Sequence, residues 1–268
     1  MRAIGLIAVN VFRESVRDRV LYNLLAFAVL LMGASYLIGQ LTAGQDVKII
    51  KDLGLAATFV FGLFIAVFIG IGLVSKEVER RSIYSLLAKP IERYQLVLGK
   101  YAGLVLTLLV NLSVMAAALY LVLAYLAWHA GPVAARAWER PALDPLLLQA
   151  FLLTLVELSV VTAIAVFFST FSTPLLSAAL TFGFFVAGRF SADLRSFNQV
   201  VASPLAGALA QGLYWVLPNL GPFDIRAQVV HGHPATLEYL GLAVGYGVLY
   251  SAALLVAAIL IFSKRDFK

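Results

Sequence analysis

Cysteine is absent from this chain of 268 residues, which excludes disulfides, thiolate metal ligands and cysteine nucleophiles. Charge is scarce. Asp, Glu, Lys and Arg make up 13% of the residues, against roughly 25% in soluble domains, so an ordinary soluble fold is excluded. The three histidines, His129, His231 and His233, all fall outside the long apolar runs, and no HExxH occurs. No phosphate-binding loop of the form GxxxxGK[ST] is present: Gly99-Lys100 is followed by Tyr101, and position 94 is Tyr. The 20 Lys and Arg side chains are scattered among loops with no dense basic stripe, so the formal charge of +6 speaks of membrane topology and not of nucleic acid.

What is present is apolar. Hydrophobic residues make up 62% of the chain, enough for six spans of roughly 20 residues with modest loops and no separate globular domain. The expected fold is an all-α membrane protein, residues 1–268 forming a single transmembrane domain. The spans are expected at about 22–43, 53–74, 101–127, 146–168, 175–195 and 239–262. Residues 1–21 do not read as a cleaved signal, because Arg13, Glu14, Arg17, Asp18 and Arg19 stand where its apolar region would be. Val9, Phe12, Val16 and Val20 recur there at helical spacing, with Asn10, Arg13, Glu14 and Arg17 on another face. This predicts an amphipathic helix lying in the interface; the alternative is a cytoplasmic extension of the first span. Residues 196–238 contain Pro204, Pro218, Pro222 and Pro234 and are expected to form an external helical segment between spans five and six.

Six spans place both termini on one side. Thirteen of the 20 basic residues lie on that side, which predicts cytoplasmic termini in an inner (plasma) membrane, multi-pass protein. The same bias puts the charged interruption Ser75–Lys100 in the cytoplasm. Pro90 cannot continue a helix, so 76–88 and 91–100 are expected as two short helices meeting at a corner.

That segment resembles the cytoplasmic loop of ATP-binding cassette (ABC) exporter permeases of the type-2 class. The resemblance rests on Glu77, Glu79, Arg80, Arg81, Ser82, Tyr84, Leu86, Leu87, Lys89, Pro90 and Arg93, followed by Leu98-Gly99-Lys100. It extends to Leu217-Pro218-Asn219-Leu220, to Phe223-Asp224-Ile225-Arg226 and to the closing residues 262–267. Ser82 stands where Thr is usual. The resemblance implies a membrane subunit without an ATPase site of its own, binding no cofactor or metal, with ATP and magnesium on a separate ABC ATPase subunit. Residues 77–93 would be the ATPase-coupling element. It also implies a dimer with a second copy or a sibling permease, and a possible periplasmic partner at 196–238. Two other classes remain beside this one. An intramembrane enzyme needs a catalytic constellation at membrane depth, and an ion-coupled secondary transporter usually shows several intramembrane ionisable groups or repeated broken spans.

Glu157 is the one acidic residue near the middle of an expected span. Such a group faces the bundle interior or water. It is a candidate for the substrate pathway or gate, or a structural hydrogen-bond partner, with Asn111 in the third span as the candidate mate. Arg189 is expected to snorkel from the outer end of the fifth span. Gly99-x3-Gly103 and Gly241-x3-Gly245 have the spacing that lets helices approach closely, a spacing that Gly-rich spans also produce by chance.

Overall fold

The computed structural model describes residues 2–41, 45–79, 92–130, 138, 140–191, 211, 212 and 214–264. The described residues form helices α1 (Arg2–Val16), α2 (Arg19–Gln40), α3 (Asp46–Glu79), α4 (Arg93–His129), α5 (Leu147–Ser169) and α6 (Pro174–Arg189). A 3-10 turn (Gly221–Phe223), the short α7 (Arg226–Val230) and the long α8 (Leu237–Lys264) follow. Among them no strand occurs.

Five helices, α2, α3, α4, α5 and α8, are long and apolar enough to cross a membrane. The expected fifth span is different. Its helix α6 has 16 residues, about 24 Å at 1.5 Å per residue, and stops short of the roughly 30 Å hydrocarbon layer.

The helix α5 is apolar all round and lies at the centre, packed against α3, α4, α6 and α8. A helix without a polar face belongs inside a bundle, and its Leu153, Val160, Val161 and Ile164 are fully buried. In contrast α2 and α8 turn Phe27, Leu30, Leu37, Leu242, Leu249 and Val256 outward. In a membrane protein these outward faces meet lipid or another chain.

The N-terminal helix packs against α4. Its buried line is Val11 and Ser15, flanked by Ile7 and Ala8, while Val9 is 43% exposed. The buried stripe is thus rotated from the Val9–Phe12–Val16 line that the sequence pattern gives. The cause is the surface of α4: Gly99 and Gly103 form a flat strip against which α1 lies. A Cβ on Gly99 would stand 2.7 Å from Ile7 Cβ, and one on Gly103 would stand 2.6 Å from the Ala8 carbonyl oxygen. The chain then breaks at Asp18, whose carboxylate accepts from the Val20 N–H at 2.9 Å and caps α2.

The two arms of the charged interruption are not separate short helices where they are described. Residues 75–79 prolong α3, and 93–100 are the first turns of α4. Lys100, counted among the cytoplasmic charges, is 4% exposed.

The described part of the segment between α6 and α8 packs onto the bundle. Leu217, Leu220, Phe223, Ile225 and Val229 are buried. The Leu220 N–H donates to the Gly188 carbonyl at 3.1 Å, so the turn sits directly on the end of the short α6. Phe223 packs beside Gly247, ten residues inside α8, about 15 Å along that helix. Helices α3, α5, α6 and α8 pack around this turn.

Candidate functional site

Above the end of α6 four charged side chains meet around one aromatic ring. Arg189 closes α6, where a cation suits the negative end of the helix. Its guanidinium lies 3.4 Å from Glu157 Oε1 of α5 and 3.3 Å from Asp224 Oδ2 of the turn. Asp224 in turn holds Arg226 in a two-point pair, accepting from Nε at 2.7 Å and from Nη2 at 2.8 Å. The Phe59 ring of α3 has the Arg189 guanidinium 4.9 Å from its centre and that of Arg226 at 4.4 Å. Both distances fall within the range for attraction of a cation to an aromatic face.

The members are unequally satisfied. Asp224 is well held: the hydrogen-bonded Arg226 guanidinium keeps its carboxyl below the ordinary range, and Asp224 raises Arg226 in return. Glu157 is 1% exposed, and its Oε1 accepts no hydrogen bond from any described residue. The contact with Arg189 is close enough for an ion pair but lacks hydrogen-bond geometry. A buried carboxylate held by charge alone is the weak point of the cluster.

Asn111 does not reach Glu157. It is buried on α4 and donates Nδ2 to the Thr107 carbonyl of its own helix at 2.7 Å. Glu157 is instead partnered by Arg189, which turns inward and does not snorkel. The pairing was within reach of the sequence, since two opposite charges inside apolar segments seldom stay apart. Phe59 carries no such signal, and Asp224 and Arg226 stand out in the sequence only as part of the Phe223-Asp224-Ile225-Arg226 resemblance.

Of the expected coupling residues, Glu77 and Glu79 lie in the last turn of α3. Arg80, Arg81, Ser82, Tyr84, Leu86, Leu87, Lys89 and Pro90 lie outside the described residues. Arg93, the first residue of α4, reaches the far end of α8: Nη1 donates to the carbonyls of Phe262 at 3.0 Å and Ser263 at 2.7 Å.

At the opposite end from Arg93 the loops are tied down. Lys51 of α3, 1% exposed, donates to the Pro141 carbonyl at 3.0 Å and lies 3.5 Å from Asp144 Oδ2. The Trp138 indole donates to Asp46 at 2.9 Å, and Arg140 to the Gly232 carbonyl at 2.8 Å. Beside the buried turn is a cavity of about 260 Å³ lined by Asn219, Pro222, Tyr239, Leu242, Ala243 and Tyr246. Among the described residues no group of three or more His, Asp or Glu is placed to hold a metal ion.

The model of the ABC-2 family transporter protein matches residues 6–267. The chain belongs to that family. No curated protein matches it. As an ABC-2 permease it is a multi-pass membrane subunit of a transporter, and its buried turn and α8 fall within the matched span.

Proposed function

We propose that this permease is the membrane half of an exporter driven by a separate ABC ATPase. ATP and magnesium bind that partner, and this chain binds neither. Two ATPase subunits close on two nucleotides, so two membrane subunits are needed: a homodimer, or a pair with a sibling permease. The protein crosses the inner membrane six times, with both termini in the cytoplasm. The observation that carries the reading is the family match over residues 6–267. The basic bias toward the side of residues 75–100 supports the orientation.

Residues 75–100 take up the movement of the ATPase, and alternating acids and bases there set its register on the partner. The movement opens and closes a route past the Glu157–Arg189–Asp224–Arg226 cluster, with Glu157 as the gate residue because it is the least satisfied charge. The outer part of 196–238 caps that route or meets a periplasmic partner. The test is extraction of the chain from its native membrane in mild detergent. An ABC ATPase that co-purifies, and whose hydrolysis rises with its association, supports the proposal. A chain that comes out alone while intact and still in its oligomer overturns it.

A further inference from the structure

We propose that α8 is the rod through which residues 75–100 act on the outer charge cluster, with Arg93 as the positioning residue at its driven end. The inference rests on the reading of 75–100 as the ATPase-receiving segment.

At its own helix Arg93 is badly placed. It is the first residue of α4, and a cation at a helix N-terminus opposes the dipole. Across the gap it is well placed, beside the carbonyls of the last turn of α8. Arg93 binds two of them, those of Phe262 and Ser263. Hydrogen bonds from a charged donor are the stronger kind. Whatever moves this residue of the charged interruption therefore pulls on the end of α8.

The other end of α8 grips the buried turn by three tyrosines. Tyr239 Oη donates to the Pro222 carbonyl at 2.6 Å, Tyr250 Oη to the Val216 carbonyl at 2.8 Å, and Tyr246 Oη accepts from the Asn219 N–H at 2.8 Å. Between the two ends α8 contains no proline. From Tyr246 to Ser263 the helix runs about 25 Å. The turn it grips carries Asp224, the anion between Arg189 and Arg226. One line of contacts thus joins Arg93 to Asp224 and, through Arg189, to Glu157.

Hydrogen exchange of the full chain in lipid nanodiscs, without nucleotide or ATPase, tests this. Arg93→Ala is expected to speed exchange several-fold in 216–226 while 140–146, tied to Lys51, is unchanged. Arg93→Lys, which keeps one donor, is expected to fall between Arg93→Ala and the native chain. A change confined to the last turns of α8 overturns the proposal, and so does an equal rise in both outer segments. Because no ATPase is present, such a failure leaves the transporter reading standing, and that reading fails separately by the extraction experiment.

Discussion

Arg189 is the only described cation within ion-pair distance of Glu157, at 3.4 Å, while Arg189 itself also touches Asp224 at 3.3 Å. The dependence is unequal. Removing the arginine strands a carboxylate that is 1% exposed, whereas removing the glutamate leaves the arginine one anion.

Arg189→Met is therefore expected to destabilise by about 3–5 kcal/mol, the usual loss when one partner of a buried pair is removed. Glu157→Gln should cost clearly less and leave the fold intact while changing transport. The double variant should recover part of the Arg189→Met loss. Thermal unfolding in detergent checks the order, and equal losses for the two single variants would contradict it.

The two glycine pairs predict opposite outcomes from the same spacing. Gly103→Ala drives a methyl group against the Ala8 carbonyl and Val11, and backbone cannot yield as a side chain does. The expected loss is about 1–3 kcal/mol, with α1 displaced from α4. Gly241→Ala and Gly245→Ala meet nothing within 4 Å and should stay within about 0.5 kcal/mol. Thermal midpoints of the four single variants, Gly99→Ala included, decide this.

Lys51 and Asp144 form a buried pair at 3.5 Å with side chains 1% and 5% exposed. Lys51→Met alone is expected to lower stability by about 3–5 kcal/mol, and Lys51→Met with Asp144→Leu by less. Proteolysis within residues 140–146 should rise in the single variant and return toward the native rate in the double.

Asp224 gives a pH dependence. Arg226 holds its carboxyl below the ordinary value, so the ionised form stabilises the folded chain. That contribution is complete above the unfolded value of about 3.9 and is lost as pH falls through the lower folded value. The difference in thermal midpoint between the native chain and Asp224→Asn should therefore hold constant from pH 7 to about 4 and shrink below it.

The sequence made the long apolar helices legible because composition and length suffice for them. It did not reveal how far α6 runs. The span is expected to run on to about 195, but Arg189 turns inward to Glu157 and Asp224, residues 32 and 35 positions away, and such pairings leave no periodic trace. Nor do Pro204, Pro218, Pro222 and Pro234, which predict an external helical segment, tell which of its residues pack onto the bundle. Leu217, Leu220, Phe223 and Ile225 are buried at irregular spacing, which matches neither a helical nor a strand period. The glycine spacings were visible, but only the surface of α1 decides which pair is used. The charged interruption was legible in composition, while the contact of Arg93 with α8 was hidden because the acceptors are backbone carbonyls 169 and 170 residues on.

The most direct test of the account is the coupling of ATP hydrolysis to this permease when Glu77 and Glu79 are both changed to Lys. The account predicts a chain that inserts normally but no longer retains the ATPase, or retains it with hydrolysis no longer driving transport. Full retention of the ATPase with transport per ATP unchanged would contradict it.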